Sequence, residues 1–326
     1  MKNRLRAGGP ASLFVLILLI SFLATFGCGG GGGGGGGGGV EYTGVTTQAT
    51  VNDTNADALA TGAYDGGTAG SSMTPIFGAV NQGGVNDLSR YVSLTRTLKD
   101  AISQVDVYAP EGIVEAGAIV QESGPLDGDC GGSGSYVISF NDQTGDFTGT
   151  FSFSALCSGG VTMSGSATFS GTFDEGAGEF VEFTITTSGF TAVSGADSFT
   201  LSGSITFNFQ ASPAIVSADL KLRDNVTEEV CWAHNYMMTV VEGSGYEDIT
   251  FTGTFYHPDH GYVVVSTQID IRIGDFDTYP SQGVLVVTGA GGSKARLTAG
   301  PIGQYQVEVD ADGDDTYEDD FGLLDW

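Results

Sequence analysis

From Gly112 onward, apolar and polar residues alternate with a period of two. Phe147-Thr-Gly-Thr-Phe-Ser-Phe153 sets the pattern. It recurs over Ser135–Phe140, Val161–Phe173, Phe180–Thr187, Phe199–Phe209, Ile215–Leu222, Val230–Val241, Ile249–Tyr256, Tyr262–Ile269, Gly283–Thr288 and Tyr305–Asp310. Alternation of this kind sends successive side chains to opposite faces of a pleated strand. Turn clusters punctuate the series: Asp142–Gly145, Asp174–Gly178, Ser194–Asp197, Glu242–Gly245 and Ala290–Ser293. Many strands joined by short polar turns predict an antiparallel meander. More than ten strands in one flat sheet would expose long edges. The expected fold is therefore mainly β: a large antiparallel up-and-down barrel or strongly curved sheet, with one or two N-terminal helices packed on or in it. A β-sandwich is the second choice. Met163-Ser-Gly-Ser-Ala-Thr-Phe169 recurs as Leu201-Ser-Gly-Ser-Ile-Thr-Phe207, 38 residues on, a spacing that fits two strands per period.

Upstream the period lengthens. Ala49–Val51 suits a short strand, and Asn52, Asp53 or Thr54 can cap a helix carrying Ala56, Leu59, Ala60 and Ala63 on one face. The Gly/Ser-rich stretch Gly66–Ser72 is expected to end it. A second helix is predicted over Asn86–Ser103, where Leu88, Tyr91, Val92, Thr95, Leu98 and Ile102 form one apolar stripe.

The first 39 residues follow another logic. Lys2, Arg4 and Arg6 precede an apolar run, Ala11–Phe26, then Gly27, Cys28 and eleven glycines, Gly29–Gly39. That run is too short for a membrane span of about 20 residues. Basic, apolar and small-residue regions in this order are the parts of a signal peptide. The segment resembles a bacterial lipoprotein precursor, with Thr25 where that family usually has Leu. The resemblance implies cleavage before Cys28, acyl chains on Cys28 as the membrane partner, and outer-membrane sorting because Gly29 follows. Eleven glycines make a random coil of about 18 Å end to end. The expected organisation is 1–27 signal peptide, 28–39 lipidated cysteine and tether, 40–110 helical segment and 111–326 antiparallel β domain, the last two folding together. Tyr42-Thr-Gly, Ala49-Thr-Val51 and Asn55-Ala56 are also similar to openings of uncharacterised exported bacterial β-rich proteins.

Charge narrows the partners. The chain has 11 Lys+Arg against 39 Asp+Glu; removing Lys2, Arg4 and Arg6 leaves 8 against 39, a net charge of −31. Nucleic acid is excluded as a partner on this ground, since phosphate binding needs clustered Lys and Arg. Cations and cationic ligands are the partners this charge favours.

Export permits disulfides. Cys130 and Cys157 lie symmetrically about the Asp142–Gly145 turn, so a hairpin would bring them face to face. That pairing leaves Cys231 free and buried. For metals, the acidic loop Asp310-Ala-Asp312-Gly-Asp314-Asp-Thr-Tyr-Glu318 spaces carboxylates at alternate positions, as calcium requires. Asp310, Asp312, Asp314 and Glu318 are its candidate ligands, with a solvated acidic turn as the alternative. His257-Pro-Asp-His260 lacks a third strong ligand unless His234 reaches it. Along Val230–Val241, alternation puts Val230, Trp232, His234, Tyr236 and Met238 on one face, where Trp232, His234 and Tyr236 could line a ligand cavity. No G-x-S-x-G elbow occurs, and only three histidines could act as a base. The expected function is non-enzymatic: an envelope module holding a small molecule or glycan, or else a structural interaction protein without a small ligand.

Overall fold

The computed structural model describes residues 39–71 and 119–326, except turn positions 142, 159–160, 175–178, 195–196, 214, 275–276, 278 and 302. The signal segment, Cys28, most of the tether and the helix expected over Asn86–Ser103 lie outside the described residues.

Among the described residues one α-helix, α1 (Ala56–Ser71), precedes fourteen strands. They are β1 (Ile119–Asp127), β2 (Gly131–Asn141), β3 (Asp146–Ser158), β4 (Val161–Asp174), β5 (Glu179–Ser194), β6 (Asp197–Asn208) and β7 (Ile215–Asp224). After them come β8 (Val230–Glu242), β9 (Tyr246–His257), β10 (Gly261–Gly274), β11 (Gln282–Thr288), β12 (Lys294–Ala299), β13 (Gln304–Asp310) and β14 (Asp319–Asp325). Their order in space is their order in sequence, in a single antiparallel sheet. Among the described residues β1 and β14 do not pair, so this is a curved sheet and not a barrel. A sandwich is overturned as well, because all fourteen strands share one hydrogen-bonded sheet. The two edges explain the openness. Pro125 interrupts the donors of β1, and β14 carries exposed Asp319, Asp320 and Asp325.

Curvature follows from the helix. α1 packs against β7–β9 and also against β11–β13. Those strands span about 29 Å if flat, at about 4.8 Å per strand, whereas a helix is only about 10–12 Å across. The C-terminal half of the sheet therefore curls around α1. Ala56, Leu59, Ala60 and Ala63 are buried as their spacing predicts. The entry turn is held by two asparagines. Thr54 N donates to Asn52 Oδ1 (2.9 Å), Asn52 N donates to Asn55 Oδ1 (2.9 Å), and Ala56 N donates to the Asn52 carbonyl (2.9 Å). The helix does not stop at Gly66 but runs to Ser71. Its glycines cost about 1 kcal/mol each relative to alanine. In return they permit close contact: a Cβ at Gly62 would lie 2.6 Å from the Phe255 ring, and one at Gly66 3.2 Å from the Tyr236 hydroxyl. Ala49–Val51 is no strand: next to it Gln48 makes a single parallel bridge to Tyr262, Ala290 N donates to the Ala49 carbonyl (2.6 Å), and Val51 N donates to Ser293 Oγ (2.9 Å).

One face of the sheet is apolar from β2 to β13. Phe147, Phe151, Phe169, Phe183 and Phe207 are buried along it in neighbouring strands. Several rings lie flat over a cross-strand glycine. A Cβ at Gly149 would come within 2.1 Å of the Phe169 ring, and one at Gly171 within 2.6 Å of Phe147. The 38-residue repeat falls on β4 and β6, and Gly165 and Gly203 occupy the same left-handed position in each (φ 114° and 136°). Cys130 and Cys157 are joined, their Cα atoms 5.1 Å apart, at the open end of the β2–β3 hairpin as expected. Cys231 is buried but not free; no cysteine among the described residues is.

Candidate functional site

Strand β8 does not keep the simple alternation expected of it. Asn235 takes a left-handed conformation (φ 51°), and the β8–β9 register shifts between His234 and Met237. A bulge adds one residue, so everything after it turns to the other face. Trp232 and His234 consequently face outward, while Tyr236 and Met238 join Cys231 and Ala233 on the inner face. Tyr236 is fully buried and donates to the Ala63 carbonyl (3.1 Å). Burial pushes its phenol pKa well up. The expected cavity lining Trp232, His234 and Tyr236 is thus split between two faces, and Tyr236 belongs to packed core.

The outward pair forms a polar-aromatic network. Asp219 accepts from the Trp232 indole (2.8 Å) and holds His234 Nδ1 (2.5 Å), and Asn235 Nδ2 meets His234 Nε2 (2.9 Å). Both ring nitrogens of His234 are therefore occupied, and it is no third ligand for His257 and His260. Trp232 and Tyr256 stack at 4.6 Å, Tyr262 continues at 5.2 Å, and Lys221 Nζ sits 4.9 Å over the indole. Residues 39–48 cross this row as a strap. Val40 N donates to Ser202 Oγ (2.8 Å), the Tyr42 ring packs against Trp232 and Tyr256 (5.9 and 5.5 Å), and Val45 N donates to the Pro258 carbonyl (2.9 Å). The aromatic row is occupied by the chain itself.

The outer face of β2–β7 is open. Register aligns Ser139, Thr148, Ser170, Thr184, Thr206 and Ser217 in one row across six strands. Val137, Thr150, Thr168, Thr186 and Ser204 form the next. Hydroxyls thus recur about every 4.8 Å across strands and about 6.7 Å along them. Within these spans neither row carries a charged side chain. Ser139, Thr148, Thr150, Thr168, Thr184 and Thr186 line a depression of about 400 Å³. Periodicity predicted the strands, but their mutual register, which builds this face, is a property of pairing and was not legible in the chain.

The acidic loop after β13 does bring its candidates together. One carboxylate oxygen from each of Asp310, Asp312, Asp314 and Glu318 lies within 4.8 Å of the others. Asp310 is fully buried: its Oδ1 accepts from Gly313 N (2.7 Å) and Asp314 N (3.2 Å), and its Oδ2 from Asp315 N (3.0 Å). Lys294 Nζ stands 3.8 Å from Asp310 and closer to Asp315. Three exposed carboxylates remain to face an ion, with an ammonium as internal competitor.

At the β9–β10 turn, Asp259 N donates to His257 Nδ1 (3.2 Å), and the His257 and His260 rings stack at 4.5 Å. Burial, reinforced by His260, lowers the His257 pKa to about 4, so the ring is neutral. Glu229, which sequence patterning did not single out, is 6% exposed, and neither carboxylate oxygen has a hydrogen-bond partner. Burial, then Asp259 and Asp224, raise its pKa to about 7.

Comparison with protein-family models, with curated proteins and with solved structures finds no match.

Proposed function

We propose that this protein is a lipid-anchored envelope module that binds a neutral, hydroxyl-rich ligand, a glycan, along the outer face of β2–β6 without catalysing a reaction. The observation that carries this reading is the pair of registered hydroxyl rows around the 400 Å³ depression. In a chain of net charge −28, two adjacent rows without charge, bounded by Asp146 and Glu182 on one side and by Asp219 on β7, favour an uncharged partner. Hydroxyls both donate and accept, which suits sugars presenting the same groups. The ligand lies along the sheet rather than inside it, because the interior around Tyr236 and α1 is filled. The anchor rests on Cys28 and the segment before it, and it places the module in the cell envelope, at the outer membrane.

The test is retention of the exported protein on insoluble neutral polysaccharides and on an array of neutral glycans. A Thr150→Val, Thr186→Val pair keeps the strand shape and removes two hydroxyls from the depression. Retention that the pair weakens tenfold or more supports the reading; no retention by any neutral glycan, or retention indifferent to the pair, overturns it. Intact mass of membrane-extracted protein reads the acyl chains on Cys28, and a mass without them overturns the anchor. The second reading, a structural interaction protein with no small ligand, is favoured by that same filled interior and gains if no glycan is retained.

A further inference from the structure

Between its end contacts, Val40 to Ser202 and Gln48 to Thr288, the strap over the aromatic row is fastened at one place. Tyr42 donates its hydroxyl to the His257 carbonyl (2.9 Å), Val45 N donates to the Pro258 carbonyl (2.9 Å), and Tyr262 N donates to the Thr47 carbonyl (3.0 Å). All three bonds end on the β9–β10 turn or the residue just beyond it. Gly44 packs so closely that a Cβ there would lie 2.6 Å from Pro258 Cα. The middle of the strap, residues 42–47, therefore stays down only while this turn keeps its position.

Beside the turn sits Glu229. The β8–β9 pairing ends at Trp232–Tyr256, and just beyond it Glu229 lies close enough to Asp259, on the β9–β10 turn, to feel its charge. On its other side Asp224 N donates to the Glu229 carbonyl (3.0 Å). Glu229 is thus flanked by two carboxylates, on the β7–β8 turn and on the β9–β10 turn. The cation on the first of these elements is committed elsewhere: Arg223 reaches Glu228 (3.9 Å) and Asn225 (3.1 Å). From β9 and β10 come the neutral His257 and the His260 stacked on it. A buried carboxylate with no protein donor or cation on either oxygen is tolerable only as the uncharged acid.

We propose that Glu229 is a proton-operated latch for the strap. Neutral, it lets the His257–His260 turn close beside it. Ionised, it is repelled by Asp224 and Asp259 and draws water to a dry site, so the turn lifts and its three bonds to residues 42–47 are lost. Release uncovers Trp232 and Tyr256 and adds about ten residues to the tether, up to about 33 Å of reach. Only a proton moves, from the Glu229 carboxyl to solvent. The inference does not depend on the hydroxyl face binding a glycan.

Hydrogen exchange of the full exported protein tests it, with amides of residues 40–48 followed from pH 5 to 8 and corrected for intrinsic rates. With Glu229 near pH 7 when closed and near an ordinary glutamate when released, opening should grow tens-fold across that range. Protection of 56–64 in α1 should not change. Glu229→Gln, an uncharged near-isostere, should keep the strap closed and its profile flat, and Asp259→Asn, by removing a charge that raises the Glu229 pKa, should move the midpoint downward in pH and reduce the total growth of opening. Tyr42→Phe, which removes a strap bond without touching the latch, should raise opening at every pH. A flat wild-type profile overturns the latch. So does an unchanged pH dependence in Glu229→Gln, or loss of protection in α1 together with the strap.

Discussion

His257 and Glu229 lie on neighbouring turns, and their pKa values are displaced in opposite directions by the same cause, burial of an ionisable group. For His257, lowered from 6.5 to about 4, the unfolded chain takes up a proton that the folded chain refuses. Stability from this group is complete above pH 6.5 and is lost as pH falls toward 4, by about 3 kcal/mol at most. For Glu229, raised from 4.5 to about 7, the folded chain holds the proton longer, so stability declines as pH rises from 4.5 to 7. Over pH 4.5–6.5 the two nearly cancel. Glu229→Gln, which removes one of the opposing contributions while that of Asp65, whose pKa burial raises, is common to both proteins, should therefore show a urea midpoint that falls more steeply toward pH 4 than the wild type's. A variant profile as shallow as the wild type would show that His257 is protonated in the fold. Neither group was legible as special in the sequence: His257-Pro-Asp-His260 looked like a polar hairpin tip, and Glu229 was one acid among many. Burial and the lack of a partner are facts of packing, which no local pattern encodes.

Strands with bulky alternation were legible, and those without it were not. β2 to β11 and β13 announce themselves through Phe, Ile, Val and Tyr at alternate positions. β12 buries only Ala295 and Leu297, β14 is nearly all exposed, and β1 holds Glu122, Gly124 and Pro125, so periodicity gave these three no signal. The bulge at Asn235 was equally hidden, since a single residue in a left-handed conformation changes no composition. Yet it decides that Trp232 faces the strap and Tyr236 the helix. The glycines inside strands are where sequence and packing meet most directly. Gly149 and Gly171 look like weak points in a strand, but each is the floor beneath a phenylalanine ring from the next strand. Gly149→Ala should consequently destabilise the protein by about 1–3 kcal/mol, because the Phe169 ring must leave its place. Thermal unfolding would read this as a lower midpoint, with Gly149→Ala, Phe169→Ala losing little beyond Phe169→Ala alone. A Gly149→Ala variant as stable as wild type would mean that the ring is free to move.

At the scale of the whole molecule, an open sheet of fourteen strands has two edges to protect and one half without the helix. α1 fills the curl of β7–β13, the Cys130–Cys157 bridge ties the far end of the β2–β3 hairpin beside the β1 edge, and the acidic loop joins β13 to the β14 edge. Closing a loop of 27 residues contributes about 3–4 kcal/mol in the chain-entropy model. The loop at the opposite edge has no covalent tie. Its rigidity comes from Asp310, whose buried carboxylate collects the backbone N–H groups of Gly313, Asp314 and Asp315. Asp312, Asp314 and Glu318 add charge at the surface with Lys294 as counterion nearby, so a calcium ion would relieve their mutual repulsion and fix the start of β14. At tenfold excess over its dissociation constant, such an ion would add about 1.4 kcal/mol, a rise of a few degrees in Tm. That rise should be reversed by EGTA, absent with magnesium, and abolished by Asp312→Asn, Asp314→Asn, while Asp310→Asn should lower Tm with or without calcium because it breaks the loop itself. A Tm indifferent to calcium would leave the loop as a turn that Asp310 holds closed through its own backbone.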